Sequence, residues 1–251
     1  VDGPNGTAVG EPRPEEGRLG YHFLAAVDIE GFSRLDTLEQ VTTQRELSAA
    51  LKAAATATGF DRARWTIQVT GDGELAVLPP GIDGPRLVAD YPRELALALD
   101  AANLARYRPA SRLPSAPRLR VRLALHHGPV ADGHLGPAGS APIVVSRLLD
   151  LDALRAELRR QADENLALIV SPALYDDVIK SRFRGLDPDG FFPVEQTVKG
   201  VRHVGYIRGA QDPLVPSARP RAGPARRPTA PIFLSRRRPR GQPGRTITTP
   251  Q

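Results

Sequence analysis

Asp28 lies in Val27-Asp28-Ile29-Glu30-Gly31-Phe32-Ser33, and Asp72 lies in Thr70-Gly71-Asp72-Gly73-Glu74, 44 residues further on. Two carboxylates from separate segments suit Mg²⁺, which takes few protein ligands and completes its shell with water and phosphate oxygens. The Gly31-Phe32-Ser33 turn adds backbone N–H groups that, at the opening of a helix, would hold a polyphosphate. Two cations about 4 Å apart would then activate an attacking hydroxyl and neutralise a departing pyrophosphate. Taken singly, each aspartate has a plainer reading. Asp28 would cap the turn after it through the Gly31 and Phe32 amides, and Asp72 would be a turn residue between two glycines. Only their convergence makes a metal site.

The elements around them must bring the pair together. Residues 21–29 form a mostly apolar run of strand length, with Asp28 near its end. Residues 37–58 carry apolar side chains at helical spacing. Residues 65–70 and 74–78 alternate around Gly71-Asp72-Gly73, a strong hairpin signal. A Leu- and Ala-rich helix is predicted over 86–107, and an alternating strand over 118–126, followed by a glycine-punctuated, turn-rich segment to Gly139. Residues 144–161 read as a third helix, 166–170 as a strand, 172–180 as a short helix, and 191–198 with 203–207 as a closing hairpin. This order predicts an α+β fold: a ferredoxin-like antiparallel sheet with helices on one face. The first strand is then central, and its end meets the tip of the hairpin beside it. Glu30 and Glu74 read as solvated neighbours of the aspartates, and Trp65 and Phe23 as core.

Composition narrows the classes of function. The chain has 251 residues and no cysteine, so thiolate metal sites, disulfides and a cysteine nucleophile are excluded. No apolar run approaches the roughly 20 residues of a membrane helix, and the N-terminus lacks a basic-then-apolar leader; a cytoplasmic protein without a transmembrane segment is expected. The net charge is +6, but residues 210–251 hold nine arginines against Asp212, a surplus of +8 that leaves 1–209 at −2. The folded part is therefore not a basic nucleic-acid binder, and no aromatic-rich strand suits it to RNA. Residues 1–19 and the Arg/Pro-rich 210–251 are predicted to be disordered, leaving one domain over 20–209. A basic tail of this kind reads as a solvated terminus or as a weak contact for an anionic partner.

Several segments together resemble one family. Phe23-Leu24-Ala25-Ala26-Val27-Asp28-Ile29-Glu30-Gly31-Phe32-Ser33 is similar to the first metal motif of class III nucleotidyl (adenylate/guanylate) cyclase catalytic domains, and Thr70-Gly71-Asp72-Gly73 to the second. Arg122-Leu123-Ala124-Leu125-His126-His127-Gly128 resembles the family strand ending in Ile-His-x-Gly, where the His is structural. Ser146-Arg147-Leu148 resembles the helix carrying a transition-state Arg, and Val198-Lys199-Gly200 the late Lys-Gly. The resemblance spans about residues 20–208 and suggests a divergent, actinobacterial-type member.

What the resemblance implies is a homodimer with active sites at its interface. One subunit would offer Asp28, the Ile29 carbonyl and Asp72 to two Mg²⁺ or Mn²⁺ ions. Gly31, Phe32, Ser33 and Lys199 would hold the triphosphate of a nucleoside triphosphate. The other subunit would offer Arg147 to the charge growing on the α-phosphate. The products would be a 3′,5′-cyclic nucleotide and pyrophosphate. Three departures imply an unusual base: Gln68 stands where the family carries a purine-reading Lys or Glu, Ile143 where it carries a ribose-positioning Asn, and Leu135-Gly136-Pro137-Ala138-Gly139 offers no base-reading acid. The same departures leave open a second role, a catalytically weak or inactive cyclase-like module that binds nucleotide or dimerises in signalling.

Overall fold

The computed structural model describes residues 19–107, 117–198 and 200–209. By its contacts the chain divides into Val1–Pro216 and Ser217–Gln251. The expected disordered tail 210–251, which includes the second unit, and residues 1–18 of the expected disordered segment 1–19 fall outside the described residues, whereas Leu19 opens the first strand.

In chain order the elements are β1 (Leu19–Ile29), α1 (Thr37–Ala57), β2 (Thr66–Val69), β3 (Gly73–Val77), α2 (Gly84–Arg106), β4 (Val121–Gly133), β5 (Gly136–Ala138), α3 (Ser140–Leu149), α4 (Asp152–Arg160), β6 (Leu166–Val170), α5 (Pro172–Asp177), β7 (Phe191–Val198) and β8 (Val201–Arg208). Among the described residues the strands form one eight-stranded sheet in the order β2-β3-β1-β4-β6-β8-β7, with β5 folded back on β4. All neighbours are antiparallel except β4 and β6. As the sequence predicts, β1 is internal, with the β2–β3 hairpin on one side and β4 on the other.

Strand alternation divides the core into two layers. Ala25, Val27 and Ile29 of β1, with Val121, Leu123 and Leu125 of β4, pack under α1 and α2 (Leu47, Leu51, Leu87, Leu95, Leu99). Leu24 and Ala26, with Ala124, pack on the opposite face against Ala141, Val145 and Leu148 of α3 and Leu154 and Leu158 of α4. The single helical layer expected from the sequence is thus joined by a second. Trp65 is buried beside Tyr91 and Phe60, a core residue as predicted. Phe23 packs partly buried against the same cluster.

Two predicted elements come out differently. The helix expected over 144–161 breaks at Leu151, which is extended (φ −61°, ψ 132°) and buried. The break is fixed from afar: the Asp152 N–H donates to Gln196 Oε1 of β7 (2.9 Å), while Gln196 Nε2 donates to the Asp152 carboxylate (3.0 Å). The segment after residue 126 is not all turn, because β4 runs on to Gly133. Gly128 serves close packing there: a Cβ would come within 2.8 Å of His126 Nε2 and 3.0 Å of the Ala141 Cβ of α3. No described helix is long and apolar enough to cross a membrane.

Candidate functional site

The register of three strands builds the site. Asp28 pairs with Gly73 of β3 on one side and Arg122 of β4 on the other. One residue on, the Ile29 N–H donates to the Asp72 carbonyl at 2.9 Å. A strand residue's N–H and C=O share one edge, so the Ile29 carbonyl also faces the hairpin tip. Asp28, the Ile29 carbonyl and Asp72 therefore lie at one end of β1. Gly73 is required for this approach, since a Cβ on it would fall 1.8 Å from the Val27 carbonyl oxygen. The tip is held by Gln44 Nε2 of α1, which donates to the Gly71 carbonyl (2.6 Å), and by Thr70 Oγ1, which donates to the Asp72 carboxylate (3.2 Å).

The two carboxylates differ in their surroundings. Asp72 is half-buried in the turn, whereas Asp28 is only 8 % exposed. Burial pushes the Asp28 carboxyl up to about 6, against the pull of the Arg122 guanidinium, and the negative charge of Asp72 adds to the rise. Arg122, equally buried, grips Asp28 with both arms of its fork: Nε donates to Oδ1 at 2.8 Å and Nη2 to Oδ2. Its remaining arm reaches the Leu149 carbonyl at the end of α3 (3.4 Å). Arg122 is the main residue that the sequence reading quoted without a role. The signal was present, because clean alternation on two adjacent antiparallel strands sets an Arg opposite an Asp.

Glu30 and Glu74 are not free in solvent, contrary to expectation. Glu30 pairs with Arg120 (3.0 Å) and Glu74 with Arg62 (2.5 Å), both largely shielded from water. His126 is structural: Nδ1 lies 2.8 Å from Ser171 Oγ, and burial lowers the ring to about 4, so it is neutral.

The phosphate-binding turn also needs correction. Phe32–Arg34 is a single 3₁₀ turn entered through Gly31 in the left-handed region (φ 71°), and it does not open a helix. The helix proper starts at Thr37 with its own cap, in which the Glu39 N–H donates to Asp36 (2.8 Å) and the Asp36 N–H to Glu39 (2.9 Å). Those carboxylates occupy the α1 N-terminus, so only the short turn remains for an anion. Arg34, exposed and missed in the sequence, lies over it: a Cβ on Gly31 would come within 2.6 Å of its Nη2. A cleft of about 530 Å³ opens beside the turn, lined by Ile29, Glu30, Gly31, Arg34 and Arg120 among others. A second cavity, about 580 Å³, lies towards the other end of β1, at Gly20, His22, Thr66 and Gly136.

The remaining predicted residues are elsewhere. Arg147 is half-buried on α3 and makes no hydrogen bond or ion pair among the described residues, nor does it touch Asp28 or Asp72. Ile143, one turn before it, is 61 % exposed. Gln68 is exposed on β2, its Oε1 lying 3.1 Å from where a Gly136 Cβ would stand. Gly136 has φ 122°, which disfavours a side chain there. Lys199 lies outside the described residues.

The donors fit a hard divalent cation. No group of three or more His, Asp or Glu side chains that could hold a metal stands together among the described residues. Two carboxylates and one carbonyl are nonetheless enough for Mg²⁺ or Mn²⁺, which keep water and phosphate oxygens in their shells.

No protein-family model and no curated protein matches this chain. Solved structures do match in fold. The crystal structure of the guanylyl cyclase Cya2 superposes with a TM-score of 0.53 at 17 % identity, covering 77 % of this chain and 92 % of that one. A bacterial light-regulated adenylyl cyclase superposes with a TM-score of 0.50 at 17 % identity, covering 76 % of this chain and 52 % of the other. The chain thus has the fold of adenylyl and guanylyl cyclase catalytic domains.

Proposed function

We propose that this chain is a nucleotidyl cyclase that converts a nucleoside triphosphate into a 3′,5′-cyclic nucleotide and pyrophosphate. The observation that carries the reading is the strand register: it gathers Asp28, the Ile29 carbonyl edge and Asp72 at one end of β1. These three would hold two Mg²⁺ or Mn²⁺ ions, which when bound supply activation of the 3′-hydroxyl and neutralisation of the leaving pyrophosphate. The amides of Gly31, Phe32 and Ser33, with Arg34 above them, would bind the triphosphate, joined by Lys199. Arg147 would face the α-phosphate charge from a second copy of the chain, a role in keeping with its lack of a partner among the described residues of its own.

Gln68 both donates and accepts, and Gly136 beside it offers no acid, so a base other than the usual purines fits this half of the site. A cytoplasmic, homodimeric enzyme of signal transduction, of actinobacterial type, is part of the same proposal. The basic tail would touch an anionic partner.

The second reading is a cyclase-like module that binds nucleotide or dimerises without turnover. It is favoured by the buried Asp28–Arg122 pair and by the apolar Ile143. Incubation with each of the four ribonucleoside triphosphates and Mn²⁺ or Mg²⁺, followed by mass spectrometry, separates the two. A cyclic product that disappears in Asp72→Ala supports the enzyme. Nucleotide-raised melting without product supports the module, and product that persists in Asp72→Ala removes the metal role.

A further inference from the structure

The reading of Asp28 as a metal ligand has a consequence in the residue opposite it. Arg122 is held across the β1–β4 register with its side chain about as hidden as that of Asp28, at 10 % and 11 % exposure. Its fork covers both carboxylate oxygens, and its third arm points to the Leu149 carbonyl, at the negative end of α3. A cation arriving at Asp28 finds both oxygens already engaged by a positive group. Two cations on one shielded carboxylate repel strongly, because little water lies between them. Nothing else among the described residues neutralises Asp28 by direct contact.

We propose that Arg122 is a built-in competitor for the cation at Asp28: it holds the carboxylate in place while the site is empty and must loosen before a divalent ion can take it. The guanidinium acts through Asp28 and is a positioning residue. Its anchorage at the α3 end gives it somewhere to remain when released, so the exchange needs no unfolding. The inference rests on the metal reading of the site and adds that the resting chain weakens its own metal affinity.

The test is Mn²⁺ binding by the full chain without nucleotide, followed by calorimetry or by the resonance signal of free Mn²⁺ in alkaline buffer. Arg122→Gln should bind Mn²⁺ about tenfold or more tighter than the wild type, since it leaves a shielded carboxylate with no other cation in direct contact, Arg155 acting on it only from a distance. Arg122→Lys keeps the charge but loses the fork, and should bind several-fold tighter. A second readout is melting: Arg122→Gln should melt lower than wild type and recover more on addition of Mn²⁺, whereas Asp28→Asn/Arg122→Gln should show no such recovery. A folded Arg122→Gln that binds Mn²⁺ no tighter than wild type, or not at all, overturns the proposal. If that variant does not fold, an Arg122→Lys protein with unchanged affinity overturns it instead. Failure of the metal reading itself looks different, because wild type and Asp72→Ala would then bind Mn²⁺ equally.

Discussion

At the end of β1 the chain supplies every neighbour its functional groups need, whereas along α3 and the β4–β5 hairpin it supplies almost none. Asp28 is buried, matched by Arg122 and held in register between β3 and β4. Arg147 has no partner among the described residues, Ile143 is exposed, and Leu135 at the hairpin tip is 96 % exposed. Buried groups must be satisfied within the fold, because an unpaired charge away from water is costly. Exposed apolar groups beside an unpaired guanidinium carry no such constraint and are free to meet another molecule. The difference teaches that the first half of the proposed site is a product of folding, while the described fold leaves the proposed second half without partners.

The sharpest way to break this contrast is to remove charges from both halves, one at a time. Asp28→Ala strands Arg122 in the core and should cost about 3–5 kcal/mol of stability, read as a lower denaturant midpoint. Asp72→Ala sits in a turn and should stay within about 1 kcal/mol. Equal losses from the two would refute the distinction between a buried and an open carboxylate. Arg147→Ala should leave stability within about 0.5 kcal/mol, yet reduce product formation by about 100-fold or more. Mixing Arg147→Ala with Asp72→Ala chains should restore product, since one of the two sites in a mixed dimer would hold an intact aspartate and an intact arginine. No recovery on mixing would place both residues in the same subunit's site.

Much of the first half was legible in the sequence. Asp28 and Asp72 are tied to strong local signals, a strand end and a Gly-Asp-Gly turn, and strand alternation fixes the rest. What escaped was long-range. The helix break at Leu151 depends on Gln196, 44 residues away from the amide it caps, and no local window contains both. Gly128 reads as a turn residue, but it is a contact surface for α3. The Gly31-Phe32-Ser33 turn reads as opening the helix because it lies just ahead of the helical pattern from residue 37, whereas the Asp36–Glu39 capping box starts α1 separately. The pairing of Arg122 with Asp28 was within reach, but only once the two strands are set side by side in register. The second half of the site stayed dim because open, unpaired residues obey no rule that a single chain imposes.

Smaller effects sharpen the same comparison. Gly73→Ala puts a methyl group on the Val27 carbonyl and must push β3 away from β1. It should cost about 1–3 kcal/mol and weaken Mn²⁺ binding without touching either carboxylate. Ile143→Asn changes an exposed position and should move stability by less than about 0.5 kcal/mol. Its effect belongs to the other half: an amide one turn before Arg147 adds a hydrogen-bonding group where the chain now presents a hydrocarbon. Product formation should rise several-fold if that half only awaits a polar contact to the sugar, measured as cyclic nucleotide at fixed triphosphate. A fall instead would show that Ile143 works as an apolar contact between copies, and the loss should then shrink as protein concentration is raised.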